Sequence, residues 1–110
     1  MNELKIETDL DDSLNNGKEE IIALDDKVII RKDGKILREI TDVDKLKVER
    51  GIGISRLTAV IKGGKEVEVA FFTKAKEEQF IRFAEAFNNK IVVNEFEEKE
   101  KEIKGGIGTL

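Results

Sequence analysis

Leu4, Ile6, Thr8 and Leu10 alternate with Lys5, Glu7 and Asp9, the period-2 pattern of a half-buried strand. Asp11 to Lys18 is polar and holds Asn15-Asn16-Gly17, which predicts a loop or wide turn. A second strand is predicted over Glu20–Leu24, a turn at Asp25-Asp26, and a third strand at Val28-Ile29-Ile30. Asp33-Gly34 is a two-residue hairpin signal, so Lys35–Ile40 reads as the fourth strand. Lys45–Glu49 is the fifth, with Leu46 and Val48 inward, and Gly51-Ile52-Gly53 turns the chain into a sixth over about Ile54–Lys62. There Leu57, Ala59 and Ile61 share a face. Gly63-Gly64 leads into the seventh, where Val67, Val69 and Phe71 fall on one face and Glu66, Glu68 and Ala70 on the other. Thr73 then occupies an N-cap position. Phe80, Phe83, Ala84, Phe87 and Ile91 follow at the spacing of one helical stripe.

Turn signals without an intervening helix describe an antiparallel meander, which closes or splits into two packed sheets to limit its exposed edges. The fold class that follows is mainly β (α+β): a seven-stranded antiparallel barrel or sandwich, capped by one C-terminal amphipathic helix. Phe80, Phe83 and Phe87 form the lid of its core, each worth roughly 1.5–3 kcal/mol if fully buried. Beyond the helix, Asn88-Asn89 can supply a left-handed C-terminal residue, and Ile91-Val92-Val93 fits either continued helix or an eighth short strand. Glu95–Lys104 is a Glu/Lys run with Phe96 and Ile103 as its apolar positions. The expected division is therefore a domain over 1–92 and a charged linker or flexible tail over 93–110.

Composition narrows the chemistry. The 110 residues match a single small domain, and they contain neither Cys nor His. A disulfide framework and a thiolate metal site are excluded, and the commonest general base and transition-metal ligand are missing. The formal net charge of −4 argues against a nucleic-acid partner, which favours a basic stripe. No apolar run reaches the length of a membrane span, and the start MNELKIETDL lacks the build of a signal peptide. The expectation is a soluble protein of a reducing compartment.

Several stretches read together resemble a known module: IETDLDD near the start, ILREI at 36–40, GIGISRLTAVIKGGKEVEVAFFT at 51–73, and EEQFIRFAEAFNN at 77–89. They are similar to the pleckstrin-homology-like domain at the N-terminus of a group of prokaryotic ABC exporters, over roughly residues 5 to 90. Strand order agrees, since such barrels place their helix last. The resemblance implies a cytoplasmic regulatory or protein-interaction module, tethered to the inner face of the membrane through its parent protein. In that family a Cys-Pro-x-Cys-Gly pair often follows the module, and this chain has no cysteine. Small-ligand binding inside the barrel and self-assembly with further copies are the competing readings.

Four candidate sites stand against plainer alternatives. Membrane-binding members of this fold place Lys and Arg around the first loop, but here Lys18 faces Asp9, Asp11, Asp12 and Glu19, so anionic lipid binding is not expected. Asp9, Asp11, Ser13 and Glu20 match positions 1, 3, 5 and 12 of a calcium loop, yet Leu14 stands where the turn glycine belongs, which favours a solvated acidic loop. Gly51-x-Gly53 continues to Arg56 where a dinucleotide fingerprint needs glycine, so it reads as a hairpin turn. That hairpin also carries Ile52 and Ile54 between Arg50 and Arg56. The favoured reading folds both isoleucines onto the domain's own core, and the alternative makes Arg50, Ile52, Ile54 and Arg56 a partner contact. No catalytic constellation is found. Ser13 and Ser55 have no His partner, and no carboxylate pair stands in an apolar context, so catalytic, cofactor and metal residues are expected to be absent.

Overall fold

The computed structural model describes residues 3–89. Within them lie seven strands, β1 (Glu3–Glu7), β2 (Glu20–Leu24), β3 (Lys27–Lys32), β4 (Lys35–Ile40), β5 (Val43–Glu49), β6 (Ile54–Ile61) and β7 (Glu66–Thr73), then one helix, α1 (Lys74–Asn88). All pairings are antiparallel between sequence neighbours, giving a four-stranded sheet β1-β2-β3-β4 and a three-stranded sheet β5-β6-β7. The architecture is the sandwich form of the expected meander, with the helix last. Asp33 and Gly34, at φ 52° and 79°, make the left-handed two-residue turn that the sequence signalled between β3 and β4.

The core lies between the sheets and under the helix. Ile21, Ala23, Val28 and Ile30 of the first sheet meet Leu46, Leu57, Ala59, Val69 and Phe72 of the second, and Phe80, Phe83, Ala84 and Phe87 close it. Phe72 and Phe80 stack with ring centroids 4.0 Å apart, and Phe83 meets Phe80 edge-on at 6.3 Å. The lid phenylalanines therefore sit where the helical stripe put them. Ile91, the undecided stretch at 91–96 and the tail at 93–110 lie outside the described residues.

Four details depart from simple alternation. The seventh strand does not keep Phe71 in line with Val67 and Val69. Leu57 pairs with Ala70 and Thr58 with Glu68, so Val69 is the extra residue of a bulge. A one-residue slip exchanges the faces. Ala70 and Phe72 are buried beyond the bulge, and Phe71 is turned to the half-exposed side. The first strand ends at Glu7, although Thr8 and Leu10 still point inward, with Leu10 held by an isolated bridge to Asn16. β5 begins two residues early because Val43 pairs with Ile61, which leaves Asp44 as a second bulge residue. A third falls at Leu37, between the pairs Arg31–Ile36 and Ile30–Arg38.

Side chains tie these layers together. Arg38 of β4 donates from Nη1 to the Glu68 carbonyl at 2.9 Å and from Nη2 to the Val69 carbonyl at 2.6 Å, tying the first sheet to the bulge of β7. Asp9 accepts from the Thr73 backbone N–H at 2.9 Å and from its hydroxyl, fixing the β7–α1 junction against the first loop. Thr73 in turn accepts from Ala75 N–H as the helix cap. At the other helix end, Asn89 caps α1 at φ −90° and not in the expected left-handed region, and the Asn88 side-chain amide accepts from Leu46 N–H at 2.7 Å and donates to Leu46 C=O at 2.8 Å. It behaves as a one-residue strand laid on the open edge of β5. Asn88→Ala is expected to cost about 1–2 kcal/mol in a urea melt and to speed amide exchange at Leu46, whereas an unchanged melt would mean water replaces both bonds without loss.

Candidate functional site

The β5–β6 hairpin is the most exposed apolar feature of the described residues. Ile52 at its tip is fully exposed, at 105 % of its reference area, and Ile54 at 36 %. The favoured expectation, that both fold onto the core, fails for Ile54, which is exposed and outside the core cluster, and still more for Ile52. The turn is too tight for its side chain to reach back. Gly53 takes φ 82°, and a β-carbon at Gly51 would land on the Ile54 carbonyl oxygen.

The tip is held from beneath. Gly51 N–H donates to Ser55 Oγ at 3.4 Å, and Ser55, itself buried, donates to Glu77 Oε2 of α1 at 2.7 Å. Glu77 also receives Lys74 at 3.1 Å and lies 3.6 Å from Arg50 Nε. The Ser55 hydroxyl, ahead of the Lys74 ammonium, holds the Glu77 carboxyl below the usual glutamate range. Turn and helix are thereby joined through Ser55 and Glu77.

Two shallow grooves flank this unit and share Arg50. One, about 310 Å³, runs between β5 and α1 past Leu46, Val48, Ile81 and Ala84. The other, about 260 Å³, lies under the turn and is lined by Ile54, Ser55, Arg56 and Phe71. Arg50 is two-thirds exposed, with 66 % of its side chain open to water. Arg56, on the wall of the second groove, is held differently. Its guanidinium is spread on the sheet face between Glu49 (Nε to Oε1, 2.6 Å) and Glu68 (Nη1 to Oε2, 3.3 Å). Of the four candidate contact residues, Arg50, Ile52 and Ile54 thus gather at the tip, and Arg56 is committed to a charge cluster behind it. The first hydrogen bond of that cluster, from Arg56, lowers the Glu49 carboxyl, and the same bond raises Arg56.

The acidic loop between β1 and β2 has a different organisation from a calcium loop. Asp9 is occupied by Thr73, and Asp11 Oδ1 accepts the Ser13 and Asn15 amides at 2.9 and 3.0 Å. Glu20 pairs with Arg31 Nε at 2.7 Å. Leu14 adopts φ 65° where a glycine would be easiest. Among the described residues no group of three or more carboxylates converges in a way that could hold a metal ion. Glu19, passed over as one acid among several, is 2 % exposed. The signal for it was present, since Glu19 is in phase with Ile21 and Ala23 and alternation carries it inward. Ser55, Glu77, Arg38 and Asn88 were missed for another reason. Each acts across elements far apart in sequence, and no local pattern encodes that.

Comparison of the chain with protein-family models, with characterised proteins and with solved structures finds no match.

Proposed function

We propose that this domain is a non-catalytic interaction module that grips a partner protein through the β5–β6 hairpin, with Ile52 as the central contact. One observation carries the reading: a fully exposed isoleucine on a turn tied to α1 through Gly51, Ser55 and Glu77. Leaving such a side chain in water is unfavourable, and holding it there limits the entropy lost when a partner covers it. A desolvated apolar residue beside an arginine is the usual composition of an interface centre, and Arg50 supplies the second half. The sequence phrases that resemble an exporter's pleckstrin-homology-like domain agree with a regulatory module at the cytoplasmic face, acting on neighbouring protein. No described helix is long and apolar enough to cross a membrane, so tethering would come from a parent protein.

The ligand-barrel reading is weaker. Phe72, Phe80, Leu46 and Leu57 fill the space between the sheets, and the two grooves by the hairpin are shallow. The test places Ile52→Asp in a full-length exporter carrying this domain. The ATPase rate is expected to change several-fold, while the isolated domain melts within about 3 °C of the parent, as an exposed substitution should. Unchanged ATPase activity removes the hairpin from consideration, and a collapsed melting temperature shows that Ile52 is structural.

A further inference from the structure

Glu19 closes the base of the first loop. Its backbone N–H donates to Thr8 Oγ1 at 2.9 Å, and its carbonyl accepts from Thr8 N–H at 2.9 Å. Its side chain is buried with one oxygen satisfied, Oε2 accepting from Asp12 N–H at 3.1 Å, and Oε1 buried with no hydrogen-bond partner. An ionised carboxylate accepts at both oxygens, so an orphaned, buried Oε1 beside a second carboxylate is poor solvation for a charge and good placement for a carboxylic acid. The charged groups acting on it are Asp12 from its own loop and Lys32 from β3, and Lys32 is itself 3.7 Å from Asp11. The end of β1 contributes only the neutral Thr8 hydroxyl, at the Glu19 backbone.

The same loop holds the helix. Gly17 N–H reaches the Asp9 carbonyl at 3.4 Å and Asp11 N–H the Asn15 carbonyl at 2.9 Å, so Asp9 is positioned by a loop folded on itself over Glu19. Asp9 then grips Thr73, the cap of α1. From this arrangement we infer that the 9–19 loop is a proton-held latch: it stays closed on the β7–α1 junction while Glu19 carries a proton, and opens when Glu19 is ionised against Asp12. Opening lets water reach both carboxylates and withdraws Asp9 from Thr73. Burial, and then the Asp12 charge, push the Glu19 carboxyl up from 4.5 to about 7, which places the event near neutrality. Asp9 and the hairpin-bound Glu77 grip the same end of α1, so the latch bears on the segment behind Ile52.

Amide exchange by NMR on the full chain between about pH 4.5 and 8 tests this, with rates corrected for intrinsic base catalysis. Protection at Asp12 and Thr73 is expected to fall by up to tenfold per pH unit between about pH 4.5 and 7 and to level off above that, as opening linked to one proton requires. In the same samples the Glu19 side-chain carbon should titrate where the protection levels off. Glu19→Gln, neutral at every pH, should hold both amides protected throughout. Should that variant misfold, Asp12→Asn removes the facing charge from an exposed position and, with burial still acting on Glu19, is expected to shrink the loss below pH 7 relative to the wild-type chain. Flat protection in the wild-type chain, or an equal loss in Glu19→Gln, overturns the latch.

Discussion

Replacing Phe80 by alanine is expected to cost about 3–5 kcal/mol, the range for deleting a large buried aromatic. Phe80 is fully buried, and its ring is nearly parallel to Phe72 at 4.0 Å while meeting Phe83 edge-on. The alanine variant loses the transfer free energy of the ring and leaves a hole at the junction of α1 and β7. That hole cannot close easily. The helix is fixed at one end by Asp9 on Thr73 and at the other by Asn88 on Leu46, so it cannot settle into the space. Phe83→Ala belongs to the same range, and Glu85→Ala on the exposed face should stay within about 0.5 kcal/mol. Urea melts of the three variants decide the matter. Equal midpoints for Phe80→Ala and the parent would mean that the stacked pair is not what holds the lid.

The second large effect is a stability maximum on the acid side of neutrality. Glu19 has a folded-state value above its unfolded one, so the native protein binds that proton more tightly. The associated stability is complete below about pH 4.5 and is lost as pH rises to about 7. Asp11, Glu49 and Glu77 carry the opposite sign. They are lowered chiefly by the Asn15 amide, by Arg56 and by Ser55 respectively, so their contributions are present above the ordinary carboxylate range and vanish as pH falls through their folded values. Glu19→Gln is expected to flatten the alkaline limb, exceeding the parent by about 2 kcal/mol at pH 8. Its amide keeps an acceptor for Asp12 N–H and turns a donor toward the Asp12 carboxylate. Calorimetry across pH 4 to 8 measures both curves, and parallel curves for parent and variant would show that Glu19 is ionised at no cost.

How far the sequence could be read follows from the range of each signal. β2 and β4 have the bounds their patterns predicted, and the helical stripe is buried at Phe80, Phe83, Ala84 and Phe87, because periodicity is a local property and these elements are regular. Phe71 was misplaced because a bulge is decided by pairing between strands, which period-2 counting along one strand cannot register. Ile52 was assigned inward because burying an isoleucine is the default. Its exposure depends on the close approach of Gly51 to the Ile54 carbonyl, a contact across the turn. The residues that hold the hairpin were invisible for a related reason. Ser55 looked like a serine without a base, and only the return of α1 gives it Glu77.

The three bulges have a consequence for how copies of this domain meet one another. Leu37, Asp44 and Val69 lie on β4, β5 and β7, and all three are edge strands. Each extra residue throws the edge's open amides and carbonyls out of step, so a flat incoming strand can match only the groups to one side of it. On β5 the Asn88 amide also occupies one such pair, and on β7 Arg38 covers two carbonyls. The remaining edge, β1, is five residues long and carries Glu3, Lys5 and Glu7 outward. A meander rich in isoleucine and valine would otherwise template fibrils at high concentration. Here the borders are built to refuse a neighbour's backbone, which leaves side chains such as Ile52 as the route by which another molecule gains a hold.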